Sequence, residues 1–181
     1  MIKKLKIFDF DHTLINTSFV QDIADYEQST GKFWQADINN FWETPESLTL
    51  LPSKPNESVA EKFREFKKDK NNFIIVMTGR GQQLRKEVRH ILDKFEFYPD
   101  LLFLRPIEQD ILEYKKEMIR KFSEKFVGVE IEMFEDRTNH ANKFEKFGEE
   151  LNIFLKVNKV LQKELLKKYP EYRKHCGLKT S

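Results

Sequence analysis

The sequence has few of the features that would indicate a disulfide-stabilised, zinc-finger or membrane-spanning protein. One cysteine among 181 residues, Cys176, excludes an internal disulfide and a zinc site built from cysteines. The longest apolar runs, such as Phe73–Met77, are far shorter than the ~20 residues that span a bilayer. Asp9 interrupts the apolar residues that follow the basic N-terminus, so a secretory signal is not expected. We therefore expect a soluble cytoplasmic protein with no membrane partner and no obligate protein partner.

The excess of positive charge is also small, a formal +2 at pH 7, and it does not establish a nucleic-acid partner. Seventeen Phe and a hydrophobic content of 39% supply a compact core and exclude wholesale disorder. The segment from Gln162 to Ser181 is more basic, with six Lys or Arg against two Glu. Such a cluster can contact nucleic-acid phosphates or form a solvated helix face, and the sequence leaves both interpretations open.

Alternating apolar and amphipathic segments predict the fold class. Strands are predicted at residues 5–8, 73–77, 101–104, 130–134 and 153–157. Residues 73–77 are an uninterrupted apolar run, whereas acidic and apolar residues alternate in 130–134. Amphipathic patterns predict helices at residues 58–68, 82–95, 110–126, 139–148 and 158–168. Capping-box patterns at Ser58–Glu61 and Asp110–Glu113 begin two of these helices. Strands that alternate with helices predict a single α/β domain over 1–181, with a central parallel sheet covered on both faces.

Residues 16–57 interrupt this alternation. A connection of about 40 residues is far longer than an ordinary loop. The segment contains both tryptophans, Trp34 and Trp42, and three of the six prolines. We expect a small insert, or cap, after the first strand that packs through its own aromatic residues. A further role as a lid or a substrate-recognition element is compatible with that packing.

Two aspartates, Asp9 and Asp11, follow the first predicted strand. Their i, i+2 spacing in an extended chain places both carboxylates on the same side. Desolvating two like charges is unfavourable unless a cation compensates, and a hard divalent cation such as Mg²⁺ prefers carboxylate oxygens. Two aspartates with this spacing and no other motif more often simply face water, so their interpretation depends on the residues at the other strand ends.

The second predicted strand is followed by Thr78, Gly79 and Arg80. These residues can bind phosphate oxygens through the Thr78 hydroxyl, the Arg80 guanidinium and the backbone at Gly79, which has no side chain to keep a ligand away. The Thr-Gly pair alone is common in turns and carries little weight.

A lysine lies on the apolar face of the helix predicted to begin near Asp110. Lys115 is four residues after Ile111 and four before Ile119, in register with the core-facing residues. Near the start of a helix, such a lysine is expected to reach past the sheet edge toward an anion. The alternative is a packed stem with the ammonium group in solvent.

Two more acidic residues, Glu135 and Asp136, follow the fourth predicted strand. Ligands of open α/β sheets bind beyond the carboxyl ends of the strands, where all of these groups are expected to meet. Carboxylates beside cationic donors suit a metal ion that bridges to a phosphoryl group. His140 is in phase with Phe144 and Phe147, so it is either a core histidine or a site residue.

The order of these motifs resembles that of the haloacid dehalogenase (HAD) superfamily of phosphotransfer enzymes, over residues 3–157. Finer features resemble the HAD domain of Swiss Army Knife RNA repair-like proteins and, more distantly, the phosphatase half of phage polynucleotide kinase-phosphatase. These features are Thr78-Gly79-Arg80, Leu104-Arg105-Pro106, Tyr114-Lys115 and Glu135-Asp136-Arg137-x-x-His140. The resemblance implies a HAD-type Rossmann-like three-layer sandwich.

The resemblance also implies a role for each motif. Asp9 would be the nucleophile that forms an aspartyl-phosphate, and Asp11 would be a general acid and then a general base. Phosphate binding is implied for Thr78, Gly79, Arg80 and Lys115. Binding of Mg²⁺ is implied for Asp9, Asp11 through its main-chain carbonyl, Glu135 and Asp136. Which of the last two contacts the metal directly stays open, and His12 stands where relatives commonly have Gly.

Three functions remain open from the sequence. The first is an Mg²⁺-dependent phosphatase, a phosphoric monoester hydrolase acting on a nucleic-acid or nucleotide phosphate end. The second is a phosphatase for a small-molecule metabolite, and the third is a non-catalytic HAD-like module that binds nucleic acid or protein. We favour an enzyme because both Asp9 and Asp11 are present.

Overall fold

The computed structural model describes residues 2–35 and 38–178. Its strands are, in chain order, β1 (Lys4–Phe8), β2 (Ile15–Asn16), β3 (Lys54–Pro55), β4 (Asn72–Gly81), β5 (Leu101–Arg105), β6 (Glu130–Glu135) and β7 (Leu155–Lys159). Five strands form a parallel sheet in the order β5-β4-β1-β6-β7, and β2 pairs with β3 in a separate two-stranded antiparallel sheet. The parallel sheet places β1 at the centre, directly between β4 and β6.

The described residues form seven α-helices, and the last two of them follow β7. The helices are α1 (Asp22–Thr30), α2 (Glu57–Lys67), α3 (Arg85–Lys94), α4 (Ile111–Lys125), α5 (Thr138–Glu150), α6 (Lys163–Lys168) and α7 (Pro170–His175). Among the described residues, no helix is both long and apolar enough to cross a membrane.

Two apolar clusters bury the two faces of the parallel sheet. Successive residues of a strand point to opposite faces, so Phe8 and Ile7 of β1 belong to different clusters. Phe8 packs with residues of α2 and α3, whereas Ile7 packs with residues of α4 and α5. The α/β prediction, with helices on both faces of a parallel sheet, is therefore confirmed.

Of the two predicted helix caps, the one at the start of α4 is present and the one at the start of α2 is not. Asp110 precedes α4, and its carboxylate accepts from the backbone N–H groups of Leu112 and Glu113 at 2.9 and 3.0 Å. At α2 the residue before the helix is Asn56, not Ser58. The Ser58 hydroxyl donates to the Asn56 side chain at 3.1 Å, so the predicted capping box is wrong.

The last strand and helix are displaced from their predicted bounds. The strand predicted at 153–157 lies at 155–159, and the helix predicted at 158–168 begins only at Lys163. The cause is tertiary pairing, because Asn158 and Lys159 align with the last residues of β6. The predicted basic tail extends beyond the described residues, since Lys179 and the two residues after it lie outside them.

The long connection between β1 and α2 has an apolar cluster of its own. Ile23, Phe41 and Leu50 are buried there, with Trp34 and Trp42 packed against them. We call residues 16–57 the insert, and its role as a cap or lid stays a prediction. A second small cluster joins the connection to α6 and α7 through Phe19, Tyr169, Tyr172 and Cys176.

A buried ion pair links neighbouring strands on the face that carries α2. The Lys6 ammonium donates to Glu132 at 2.5 Å, while Lys156 and Asn158 donate to the other carboxylate oxygen at 2.9 and 3.0 Å. Burial alone would raise the pKa of Glu132, but these hydrogen bonds outweigh burial and lower it to about 2. Because the folded pKa lies below the ordinary 4.5, the pair stabilises the fold fully above pH 4.5, and this contribution is lost as the pH falls toward 2.

We expect Glu132→Gln to lower the free energy of unfolding at pH 7 by about 3 kcal/mol, because it leaves Lys6 buried without its counter-charge. The difference from wild type should shrink as the pH falls below 4.5 in urea titrations followed by circular dichroism. Glu130→Gln on the same strand is the matched control, since its pair with Lys4 is long, at 3.8 Å, and half-exposed. Equal losses in the two variants, or a Glu132 loss independent of pH, would contradict this account.

Candidate active site

The carboxyl ends of β1, β4 and β6 bring the predicted motifs to one edge of the sheet. The three strands are neighbours, and Phe8 aligns with both Val76 and Phe134. Asp9 therefore follows β1 at the level where β6 ends, and its backbone N–H donates to Phe134 at 3.0 Å. Glu135 is completely buried, and Asp9 and Asp136 are 6% and 1% exposed.

Lys115 joins two of these carboxylates. Its ammonium donates to Asp9 Oδ1 and to Glu135 Oε2, each at 2.7 Å, and the residue is 2% exposed. The helix α4 places it there because it shares the core-facing side with Ile119. The lysine therefore does not extend into solvent but forms a buried bridge between two strand ends.

The electrostatics of this bridge follow from burial and from the paired charges. Burial raises the pKa of Asp9 to about 6, although the Lys115 ammonium opposes the rise. Burial also lowers the pKa of Lys115, but Asp9 and Glu135 outweigh it and raise the pKa above its ordinary value. Lys115 is therefore charged at neutral pH and offsets the negative charge of its two partners.

Asp9, Glu135 and Asp136 form a buried acidic cluster. One oxygen from each carboxylate lies within 4.8 Å of one from each of the others. Asp136 Oδ1 is buried and has no hydrogen-bond partner within residues 2–35 and 38–178, whereas Oδ2 is 3.0 Å from His175 Nε2. Burial, and then the charge of Asp9, raises the pKa of Asp136 well above its ordinary value. Hard oxygen donors, one of them unpaired, fit a divalent cation such as Mg²⁺.

Arg80 binds the second aspartate of the first motif. Its Nε and Nη2 donate to Asp11 at 3.0 and 2.8 Å, and Thr17 donates to the same carboxylate at 2.6 Å. Burial would raise the pKa of Asp11, but the Arg80 guanidinium outweighs it and lowers the pKa to about 2. The sequence predicted Arg80 as a phosphate ligand; in the structure it holds Asp11 with a two-nitrogen fork.

Two arginines attach the long connection to this edge of the sheet. Arg80 Nη1 donates to the Trp42 carbonyl at 2.8 Å and to the Ser47 hydroxyl at 2.5 Å. Arg105, at the end of β5, pairs with Glu43 and donates to the Gly79 carbonyl at 2.9 Å. The insert therefore covers the candidate site through specific contacts with the strand ends.

A cavity of about 110 Å³ lies between the strand ends, α4 and the insert. The residues that line it include Asp9, Asp11, Gly79, Arg80, Lys115 and His175. A Cβ at Gly79 would lie 3.1 Å from the Ile111 side chain, so a larger residue here would need that side chain to shift by a few tenths of an ångström. Thr78 is completely buried, and its hydroxyl accepts from the Arg80 N–H at 3.1 Å. The structure thus gathers the predicted residues, with Thr78 behind the cavity wall.

The two histidines noted in the sequence have different surroundings. His12 is completely buried in a left-handed conformation, with φ of 55°, and stacks on Phe19 at 4.0 Å. Neither of its ring nitrogens has a hydrogen-bond partner in the described part of the chain, and burial lowers its pKa well below the ordinary value. His140 is half-buried with its ring edge toward Phe144. Both rings therefore pack against aromatic side chains.

Five residues that line the cavity were not predicted as site residues from the sequence: Trp42, Glu43, Ile111, Arg137 and His175. A position of Trp42 near the site could have been inferred, since it belongs to an aromatic insert that follows the first motif. The position of His175 could not have been inferred, because a single histidine in a basic segment has no periodicity or partner spacing that indicates a contact with Asp136.

The model of one known protein family matches most of the chain. Residues 10–174 match the model of HAD domain family 1 in Swiss Army Knife RNA repair proteins. The chain belongs to this family. The fold and family predicted from the motifs at Asp9, Thr78, Lys115 and Asp136 are thereby confirmed. No curated protein matches the chain significantly.

Solved structures share the fold at low sequence identity. A chain of the Pnkp1/Rnl/Hen1 complex superimposes with a TM-score of 0.60 and 18% identity, over 88% of this chain and 46% of that one. The present chain thus spans about half the length of that relative. The HAD domain of effector protein Lem4 from Legionella pneumophila superimposes with a TM-score of 0.56 and 14% identity, covering 97% and 96% of the two chains. A predicted phosphoglycolate phosphatase from Haemophilus somnus gives 0.54 and 14%, covering 86% and 84%.

Proposed function

We propose that the protein is an Mg²⁺-dependent phosphatase that hydrolyses a phosphomonoester through an aspartyl-phosphate on Asp9, with a nucleic-acid or nucleotide phosphate end as substrate. The observation that carries the proposal is the position of Asp9. Its carboxylate lines the cavity, contacts the Lys115 ammonium at 2.7 Å and belongs to the acidic cluster with Asp136.

The first half of the reaction is attack by Asp9. A carboxylate oxygen of Asp9 forms a bond to phosphorus, and the bond to the ester oxygen breaks. That oxygen takes its proton from Asp11, which is protonated only after it has left the Arg80 guanidinium that lowers its pKa to about 2. Both Asp11 oxygens accept from Arg80, so the carboxyl exchanges one of these bonds for a bond to the substrate. Lys115 offsets the repulsion between the Asp9 carboxylate and the anionic phosphate.

The second half returns the enzyme to its starting state. Water gives a proton to Asp11 and attacks phosphorus, and the bond from phosphorus to Asp9 breaks to release inorganic phosphate. Phosphate oxygens are assigned to Lys115, Gly79 and Arg80 at the cavity wall, and to Thr78 once its hydroxyl turns from the Arg80 N–H.

The acidic cluster is assigned to the metal. Asp9 and Asp136 would hold Mg²⁺ together with the main-chain carbonyl of Asp11, and the unpaired Oδ1 makes Asp136 the better direct ligand. Glu135 would support the site through Lys115, because Oε2 already accepts from that ammonium. When bound, Mg²⁺ supplies charge neutralisation for the phosphate oxygens.

The substrate class is proposed from the family and from charge. The family is described from RNA repair proteins, and a structurally similar chain comes from an RNA repair complex. Lys174, in the basic C-terminal segment, lines a neighbouring cavity that shares Trp42 and His175 with the candidate site. From there it can contact a second phosphate of a polynucleotide. A small metabolite would need no such extended contact.

The test is a substrate screen with and without EDTA. We expect release of phosphate from p-nitrophenyl phosphate in Mg²⁺, loss in EDTA and recovery on adding Mg²⁺, since the carboxylates need the cation to bind a dianion. At matched concentrations, DNA or RNA oligonucleotides with a 3′- or 5′-phosphate should be hydrolysed faster than a panel of phosphorylated metabolites. Faster hydrolysis of a metabolite would favour a small-molecule phosphatase, and binding of oligonucleotides without turnover would favour a non-catalytic module.

A further inference from the structure

His175 reaches the candidate site from outside the three layers of the fold. It is the last residue of α7, a helix that follows β7 and packs on the insert rather than on the sheet. Its ring lies nearly parallel to the rings of Trp42 and Tyr172, with centroids 6.1 and 5.9 Å away, and its side chain is 14% exposed. Packing on these aromatic rings fixes the direction of the imidazole.

That direction brings Nε2 within 3.0 Å of Asp136 Oδ2. The other oxygen of the same carboxylate, Oδ1, is buried without a hydrogen-bond partner in the described residues, and it belongs to a side chain of the acidic cluster. One oxygen of Asp136 is thus held in place while the other is left for a further ligand. Carboxylates that bind metals are themselves commonly oriented by hydrogen bonds from outer groups.

We propose that His175 is the positioning residue that orients Asp136 toward the divalent cation, so that the C-terminal helix completes the metal site. The proposal rests on the metal site of the proposed function. It assigns His175 no contact with the cation, because its Nε2 is occupied by Asp136. An ionised Asp136 only accepts hydrogen bonds, so Nε2 carries the proton in the metal-bound state.

The test measures cation affinity without any substrate. Mn²⁺ is the probe, since it prefers the same oxygen ligands and octahedral geometry as Mg²⁺. In calorimetric titrations of the full chain, His175→Leu should weaken Mn²⁺ binding by about 10- to 100-fold, the usual effect of removing an outer partner. His175→Gln should keep most of the affinity, because its amide nitrogen can take the position of Nε2. A role in packing alone would not separate Gln from Leu in this way.

The matched control is His90→Leu, which removes an exposed histidine of α3 and should leave Mn²⁺ binding unchanged. If the Leu variant fails to fold, His175→Asn replaces it, since this polar side chain is too short to reach Asp136. Equal affinity of the wild type and the Leu or Asn variant would overturn the proposal, as would a wild type that binds no Mn²⁺. A wild type that binds Mn²⁺ but hydrolyses no phosphomonoester would overturn the phosphatase and leave the role of His175 intact.

Discussion

Replacing Asp9 by Asn should abolish hydrolysis of phosphomonoesters, with kcat reduced by about 10⁴-fold or more. The substitution keeps the size of the side chain but removes the ionised oxygen that attacks phosphorus. Lys115 would keep a hydrogen-bond acceptor in the amide oxygen of the new side chain, so the phosphate site loses its nucleophile rather than its shape. The measurement is release of phosphate from p-nitrophenyl phosphate at saturating Mg²⁺.

The control for this substitution is Asp93→Asn, an identical chemical change at an exposed position of α3. Its activity should equal that of wild type. Circular dichroism should show that both variants fold. A folded Asp9→Asn protein with wild-type turnover would exclude the aspartyl-phosphate mechanism, whatever the substrate.

Replacing Lys115 by Met should cause the largest loss of stability. The ammonium contacts two buried carboxylates, and removing one partner of a buried ion pair costs about 3–5 kcal/mol. That loss is a large share of the roughly 5–15 kcal/mol that stabilises a typical domain. Hydrolysis should also be lost, because the ammonium that offsets the repulsion between Asp9 and the phosphate is removed. Urea unfolding at pH 7 gives the change in free energy.

Lys116→Met is the matched control, one residue further along α4. Lys116 pairs with Glu113 near the surface, at 3.2 Å, so its loss should cost less than about 1 kcal/mol. Adding Glu135→Gln to Lys115→Met should restore part of the stability, since one unpaired buried charge is then removed. Equal effects of the two lysine substitutions would show that Lys115 has no special electrostatic role.

Much of the fold and the site could be predicted because local patterns determine them. The run Phe73–Met77 can be buried only as a strand with both faces covered, and Lys115 is in register with the apolar face of its helix. Parallel strands then place Asp9 and Asp136 at the same edge without further information.

The remainder depends on contacts between distant parts of the chain. Arg80 suits a phosphate or an aspartate equally well, and the sequence does not reveal which anion it meets in the folded chain. Asn158 and Lys159 have no strong strand preference of their own, and they extend β7 because β6 offers unpaired backbone groups beside them. His175 meets Asp136 only because α7 folds back over the insert.

The bond from Arg80 to the Trp42 carbonyl constrains how this family member can diverge. The acceptor is a main-chain oxygen, so the hydrogen bond does not depend on the identity of the side chain at that residue. Many substitutions between β1 and Trp42 would therefore preserve the contact. Insertions or deletions there are different, because a shift of one residue would move the carbonyl away from the guanidinium that also holds Asp11. The length of this loop is therefore under a tighter physical constraint than its amino-acid composition. An insert taken from another protein would have to place a hydrogen-bond acceptor where the Trp42 carbonyl now lies.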